Sequence, residues 1–258
     1  MLTGRDILLY LTNKYKANWD DIMEAIRKKE DLDSNLVETT RKETKSMFIT
    51  LVDDDYPDAL KKIGKPPFVL FYKGDIELLK KETSHRLSVV GSRACSEYGV
   101  KATKTIIDGL DKDFLIVSGI AKGIDKVSHE AALNNNLKTI AVLGSGLDKF
   151  YPQENIDLSK KIIESGGLIL SEYPDDTEPL PINFINRNRI IAALCNFLLV
   201  TEAYEHSGTS ITVNYALTLG KDVGCIPYEI EKKSICNALI KEGAYLVESA
   251  QDIIRVIR

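Results

Sequence analysis

From residue 87 onward, short apolar runs alternate with helical stretches, and this alternation constrains the fold more than any other feature of the chain. The runs lack polar alternation, which is typical of strands buried on both faces of a parallel sheet. The apolar runs lie at residues 87–90, 114–117, 139–143, 168–170, 197–200 and 223–226. Helical stretches are predicted between them at residues 97–110, 125–136, 155–165, 186–195 and 209–219. The pattern predicts an α/β fold with a Rossmann-like, doubly wound, mostly parallel sheet.

The first part of the chain has a different pattern. Residues 4–46 carry three apolar stripes at helical spacing, which predicts a small N-terminal helical module over residues 1–46. The remaining residues, 47–258, are predicted to form the Rossmann-like domain. Its lead-in segment, residues 47–83, contains a short helix opened by Pro57 and a strand at residues 68–72.

Composition limits the classes of function. The 258 residues carry a formal net charge of −4, so any surface that binds an anion must be local. The four cysteines show neither C-x-x-C pairing nor metal-ligand spacing, which favours structural thiols and predicts no metal and no cofactor. The first residues lack a signal-peptide pattern, and no window is apolar enough to span a membrane. We therefore expect a cytoplasmic protein without a membrane partner.

Glycine-containing loops follow four of the predicted strands. They read G-S-R at residues 91–93, S-G-I-A-K-G at 118–123, G-S-G-L-D-K-F-Y-P at 144–152 and T-E-A-Y-E-H-S-G-T-S at 201–210. The carboxyl ends of parallel strands share one edge of the sheet, where ligands of doubly wound folds bind. One glycine loop alone could be an ordinary turn. Four loops at the same edge favour a binding crevice.

The chemistry of these loops suits an anion. Glycines let backbone N–H groups approach a phosphate, serine and threonine add hydroxyl donors, and a helix beginning at Asp125 or Ser210 presents its positive end. Arg93 and Lys122 add formal charge. Arg187 and Arg189 form a second basic pair, but on a regular helix they would point about 200° apart. Both reach one crevice only if the helix begins near Asn188, so which of them faces the ligand stays open.

Aromatic and acid–base roles also remain open in this region. Phe150 and Tyr151 follow a glycine loop, where an aromatic ring can pack in the core or stack on a base. Ser118, Asp125 and His129 could be arranged as a catalytic triad. We consider that arrangement a poor hypothesis, because Asp125 is placed to cap the helix and His129 to pack against that cap.

Taken together and in order, these segments resemble the DprA/Smf family of bacterial DNA-processing proteins. The resemblance covers residues 49–246 and includes V-V-G-S-R, S-G-I-A-K-G-I-D, R-N-R-I-I-A-A-L and V-T-E-A-Y-E-H-S-G-T-S. It implies a homodimeric protein that binds single-stranded DNA without cleaving it and helps load the RecA recombinase in natural transformation or recombination. The DNA- or phosphate-binding residues that it implies are Gly91, Ser92, Arg93, Ser118, Gly119, Lys122, Gly123, Phe150, Arg187, Arg189, Ser207, Gly208 and Thr209. Ile185, Tyr228 and Ile235 depart from the family pattern at turns.

Two other functions use the same crevice. The LOG-type nucleotide phosphoribohydrolases have a catalytic glutamate after a G-G-x-G-T segment, whereas Ser210 and Ile211 follow S-G-T here. Glu202 precedes that loop and could enter the crevice, but a lone carboxylate repels a phosphate unless a cation pairs with it. The second alternative is a nucleotide sensor that changes its oligomeric state.

Overall fold

The computed structural model describes residues 2–80, 85–204, 207–230, 232 and 234–258. The end of the predicted lead-in segment and positions 205 and 206 of the predicted loop 201–210 lie outside these residues. The strands are β1 (Met47–Thr50), β2 (Val69–Gly74), β3 (His85–Gly91), β4 (Phe114–Ser118), β5 (Lys138–Leu143), β6 (Leu168–Ser171), β7 (Phe197–Glu202), β8 (Asp222–Cys225) and β9 (Tyr245–Leu246). The helices are α1 (Gly4–Lys14), α2 (Trp19–Lys28), α3 (Ser34–Glu43), α4 (Asp58–Lys61), α5 (Glu97–Asp108), α6 (Ile124–Asn134), α7 (Ile156–Glu164), α8 (Pro181–Leu194), α9 (Gly208–Thr218), α10 (Ile235–Lys241) and α11 (Ala250–Ile257).

Within these residues, the strands form one sheet in the order β1-β2-β6-β5-β4-β3-β7-β8-β9. Neighbouring strands from β6 to β9 are parallel, which confirms the predicted doubly wound α/β class. Strand β2 pairs antiparallel with both β1 and β6, so the lead-in segment extends the same sheet at one edge. Strand β9 forms the opposite edge; it has two residues, too few to give an apolar pattern.

Helices cover both faces of this sheet. One face packs on α8 and α9 through Leu198, Val200 and Ile190, among others. The other face packs on α5, α6 and α11 over half of its width. The N-terminal helices and α7 cover the rest of this face, because Leu9, Ile22 and, from α7, Ile162 share one hydrophobic cluster with Phe71. The apolar stripes of α1 and α2 are therefore packed against the sheet, whereas on α3 Val37 is buried and Leu36 is exposed.

The order of the strands defines where a ligand can bind. The chain proceeds outward from β3 through β4 and β5 to β6, then returns to place β7 on the other side of β3. The carboxyl ends of β3 and β7 thus flank the point at which the strand order reverses, where doubly wound folds open a crevice. The register between these strands shifts by one residue there: Val90 pairs with Val200, but Gly91 pairs with Glu202.

The thiols and helices add two further observations. All four cysteines are free, and Cys195, Cys225 and Cys236 are buried while Cys95 is half-buried, in agreement with the prediction of structural thiols. In the described part of the chain, no helix combines the length and apolar character required to cross a membrane.

Candidate functional site

A groove of about 670 Å³ opens at the carboxyl ends of β3 and β7. One wall is the loop after β3, the second is the first half of α8, and the third is the start of α9. A smaller recess of about 60 Å³ extends the groove toward Lys122 and Gly144. The lining includes seven residues of the predicted DNA- and phosphate-binding set: Gly91, Ser92, Arg93, Arg187, Ser207, Gly208 and Thr209. The structure therefore brings three separate segments of the chain to one site.

Arg93 stands at the mouth of the groove. Its side chain is exposed, and its guanidinium lies 5.6 Å from the centre of the Phe184 ring, within the range of a cation–π contact. Among the described residues, no carboxylate pairs with it. The ring therefore orients a charge that remains available to a ligand.

Arg187 provides a second positive charge, deeper in the groove. The residue is only 4% exposed, and its guanidinium donates hydrogen bonds to the Val142 carbonyl oxygen and to Asn188 Oδ1. Burial lowers the pKa of Arg187, an effect that the nearby Asp125 carboxylate opposes. Burial in turn raises the pKa of Asp125, and Arg187 is the largest influence that lowers it. An arginine remains protonated even after a downward shift, so the base of the groove carries the Arg187 charge next to the Asp125 carboxyl group, which also lines the groove.

Arg189 does not line the groove, contrary to the prediction that grouped it with the phosphate ligands. Helix α8 begins at Pro181 and not near Asn188, so both arginines lie within a regular helix and point in different directions. The Arg189 guanidinium donates to both carboxylate oxygens of Glu172, at 2.6 and 2.5 Å, and to the Lys65 carbonyl oxygen at 2.9 Å. Arg187 is thus the residue that faces the crevice.

The 118–123 loop supports the groove rather than lining it with glycines. A Cβ atom on Gly119 would lie 2.2 Å from Asp125 Oδ2 and 2.7 Å from the Arg187 guanidinium, so any larger residue would displace these two side chains. Gly123 has φ +74°, and a Cβ atom there would lie 2.2 Å from the Ser92 carbonyl oxygen. Ser118 is buried and donates to the Val89 carbonyl oxygen at 2.6 Å. Through these three residues the 118–123 loop packs closely on α6, on Arg187 and on the end of β3 with the loop that follows it.

Lys122 lies at the outer end of the recess. Its side chain is exposed and pairs with Glu154 at 2.5 Å, a hydrogen bond that raises the pKa of Lys122. A surface pair of this kind contributes little stability, so a phosphate can compete for the lysine.

The aromatic wall of the groove differs from the predicted one. Phe150 is 8% exposed and belongs to the hydrophobic core, so its ring is not available for stacking on a base. The adjacent Tyr151 is 47% exposed, lines the groove and lies with its ring 5.7 Å from that of Phe184. Sequence reasoning missed Phe184, although its position three residues before Arg187 on one helix places both on the same face.

The start of α9 presents hydrogen-bond donors to the groove. Ser207 precedes the helix, and its hydroxyl is sheltered from solvent without a partner among the described residues. The first N–H groups of a helix have no partner within it and carry a partial positive charge. Thr209 lines the same wall. This end of the groove is therefore suited to a phosphate or another anion.

The structure does not form the triad considered from the sequence. His129 is buried, and its ring nitrogens lie 2.6 Å from the Gly119 carbonyl oxygen and 2.6 Å from the Thr139 hydroxyl. Burial lowers the pKa of His129 to about 4, so the ring is neutral. Ser118 donates elsewhere, as described above. In the described residues, no group of three or more potential ligands is arranged to hold a metal ion.

Comparisons with known proteins agree with this architecture. The model of the family described as DNA recombination-mediator protein A matches residues 47–258. The DNA processing protein DprA of Streptococcus pneumoniae is 47% identical over 207 residues, which are 80% of this chain and 72% of that protein. The X-ray structure of the DprA protein from S. pneumoniae superposes with a TM-score of 0.86 at 37% identity, covering 99% of this chain and 98% of the other.

A second similar solved structure is that of DNA processing protein A from Helicobacter pylori, which is described as binding single-stranded DNA. It superposes with a TM-score of 0.73 at 30% identity, covering 83% of this chain and 97% of the other. The family model covers most of the present chain. The chain belongs to the DprA/Smf family, the DNA recombination-mediator protein A family.

Proposed function

We propose that the groove binds single-stranded DNA and does not cleave it. The observation that carries this proposal is the pair of arginines, Arg93 and Arg187, which line the groove. Among the described residues no carboxylate forms an ion pair with Arg93, and the Asp125 carboxylate lies near Arg187. The exposed Tyr151 ring, the half-buried Phe184 ring and the helix N–H groups of α9 stand beside them. Cations and hydroxyls contact phosphates, while rings stack on bases with little regard to sequence.

The names of the relatives support DNA as the ligand. The H. pylori protein is described by its binding of single-stranded DNA, and the pneumococcal protein by DNA processing. Three groups that could perform acid–base chemistry are otherwise engaged: the Glu202 carboxylate accepts hydrogen bonds from Ser96 and Tyr204, His129 uses both ring nitrogens, and Asp125 lies near Arg187. These engagements support a binding protein over a LOG-type nucleotide phosphoribohydrolase.

The proposed function is tested by fluorescence-anisotropy titration of labelled oligo-dT at two salt concentrations. We expect micromolar or tighter binding that weakens steeply with salt, since each neutralised phosphate of a single strand releases about 0.7 counterion. Duplex DNA and free nucleotides should compete poorly. Displacement by one particular nucleotide would instead identify a nucleotide sensor, and release of a free base from that nucleotide would identify an enzyme.

Arg93→Ala should weaken binding and lower the salt dependence. One lost phosphate contact reduces the slope of log K against log salt by about 0.7. Arg27→Ala is the matched control, because Arg27 is an exposed arginine on α2 and does not line the groove. An unchanged slope for Arg93→Ala would remove Arg93 from the phosphate ligands.

Tyr151→Ala and Phe150→Ala should have opposite consequences. Loss of a stacking ring at Tyr151 should weaken oligo-dT binding by about 1–3 kcal/mol and leave thermal stability nearly unchanged. Loss of the buried Phe150 ring should lower the free energy of unfolding by about 3–5 kcal/mol. The two readouts are anisotropy titration and urea unfolding. Normal stability with weak DNA binding in Phe150→Ala would restore the sequence-based assignment of Phe150 as a ligand.

We further propose that the chain forms a homodimer and, in the cytoplasm, helps load RecA on the bound strand. RecA and the cytoplasmic location rest on the family resemblance. Dimerisation is also supported by the edge strand β9, whose Tyr245 and Leu246 are exposed, and by the nearly fully exposed Ile230. Sedimentation analysis over a range of protein concentrations tests the homodimer. Pull-down with purified RecA tests the second partner.

A further inference from the structure

Glu202 is a buried carboxylate at the carboxyl end of β7 that does not line the groove. Its Oε2 atom accepts from the Ser96 N–H and from the Ser96 hydroxyl, each at 2.9 Å, and its Oε1 atom accepts from the Tyr204 hydroxyl at 2.6 Å. Burial acts to raise the pKa of Glu202, but hydrogen bonds from Tyr204, Tyr228 and Ser96 outweigh it and hold this pKa below its ordinary value. The carboxylate is therefore charged and fully engaged.

The register shift between β3 and β7 explains why this side chain points where it does. Phe197 and Leu199 face α5 and α6, and simple alternation along the strand would turn residue 202 to the opposite face. Because Gly91 pairs with Glu202 instead of Thr201, the extra residue returns the Glu202 side chain to the α5 side. A Cβ atom on Gly99 would lie 2.0 Å from Glu202 Oε2, so the first turn of α5 packs directly on the carboxylate.

The position of this carboxylate is chemically informative. In dinucleotide-binding folds, the helix after the first strand of the parallel sheet holds the ligand pyrophosphate at its N-terminus. Here α5 is that helix and β3 is that strand, yet a side chain of the protein accepts the hydrogen bonds at the helix start. A ligand phosphate at the start of α5 would lie next to the buried negative charge of Glu202, and such contacts between like charges are unfavourable. Ligand phosphates are directed toward Arg93, Arg187 and α9.

Glu202 also fixes both ends of the loop that carries Arg93. Its main-chain carbonyl oxygen accepts from the Ser92 N–H at 2.7 Å, and its carboxylate holds Ser96, the residue that caps α5. Arg93 lies between these two anchor points. The position of its guanidinium relative to Phe184 therefore depends on a residue that does not touch the ligand.

We propose that Glu202 is a positioning and specificity-determining residue: its carboxylate occupies the phosphate position at the start of α5 and holds the Arg93 loop for a strand lying along the groove. This inference rests on the proposed function for its effect on DNA. The effect of the Glu202 carboxylate on the start of α5 does not depend on DNA and can be measured separately.

A double-mutant cycle tests the positioning role. Glu202→Gln keeps the shape of the side chain but replaces one acceptor oxygen by a donor, so it should weaken oligo-dT binding about tenfold. If Glu202 acts through Arg93, the double variant with Arg93→Ala should bind no more weakly than Arg93→Ala alone. Full addition of the two losses, or wild-type affinity for Glu202→Gln, would overturn the proposal. Should Glu202→Gln not fold, Tyr204→Phe removes one hydrogen bond to the same carboxylate and should show the same non-additivity.

Anion rescue tests the occupancy of the α5 start without DNA. Glu202→Ala exposes the donors of Ser96, so acetate or inorganic phosphate should raise the melting temperature of this variant by more than it raises that of the wild type, whose groove can also bind an anion. Chloride at equal ionic strength is the control for screening. Rescue by the oxyanions alone supports the proposal, even if the wild type proves not to bind oligo-dT. Equal effects of all three salts, or no effect, would show that the start of α5 is not an anion position.

Discussion

Arg189→Met is expected to lower the free energy of unfolding by about 3–5 kcal/mol, because it leaves the buried Glu172 carboxylate without its partner. The guanidinium now supplies two hydrogen bonds to that carboxylate and one to the Lys65 carbonyl oxygen, which joins α8 to the segment before β2. Urea unfolding followed by circular dichroism measures the loss as a lower midpoint at constant m-value. Affinity for oligo-dT, measured below the unfolding transition, should stay within about twofold of the wild type.

Adding Glu172→Met to Arg189→Met tests whether the loss of stability comes from the unpaired Glu172 carboxylate. Arg189→Met combined with Glu172→Met replaces the ion pair by apolar side chains of similar length, and replacement of a buried pair is often neutral or stabilising. The double variant should therefore recover much of the stability. Weak DNA binding with normal stability in Arg189→Met would contradict the structural assignment and return Arg189 to the ligand set.

Arg187→Met should weaken oligo-dT binding and leave the protein folded, the opposite of what we expect for Arg189→Met. The substitution removes the deep positive charge of the groove, and loss of a desolvated charge from a binding site costs about 2–5 kcal/mol of affinity. The variant should still fold, because Asp125, whose pKa burial already raises, can take up a proton when the arginine is gone. Anisotropy titration with oligo-dT measures the loss, and Arg27→Met is the control for charge. Retained affinity would show that the strand does not reach the base of the groove.

The sequence predicted the sheet well because its central strands are buried on both faces. Continuous apolar runs occur where no side chain meets water, and six such runs correspond to β3, β4, β5, β6, β7 and β8. The edges were harder to predict. Strand β9 consists of two exposed residues, and β1 has four, so neither produces a periodic signal.

The site was predicted in its loops but not in its side-chain directions. The sequence predicted that residues 91–93 after β3 and residues 207 and 208 at the start of α9 belong to one site, because the topology of the sheet brings these two loops together. The directions of Arg187 and Arg189 depend on where α8 begins, and Pro181 marks that start as a first-turn residue. The choice between Phe150 and Tyr151 depends on which ring the core can accept. That choice is made by packing from distant segments, which a local pattern does not report.

The contact between the N-terminal helices and the sheet has a consequence for how this family can vary. The family model begins at residue 47, yet Leu8, Leu9 and Leu11 of α1 lie in one hydrophobic cluster with Phe71 of β2. A segment outside the shared sequence pattern therefore excludes water from part of one face of the shared sheet. Apolar contacts tolerate substitutions that conserve volume, so the buried positions of this cover can vary as long as they stay apolar. Its specific contacts include a hydrogen bond from Trp19 Nε1 to the Pro66 carbonyl oxygen and an ion pair between Arg5 and Asp53. A relative without these helices would have to cover the same face by other means, such as an added segment or a second molecule.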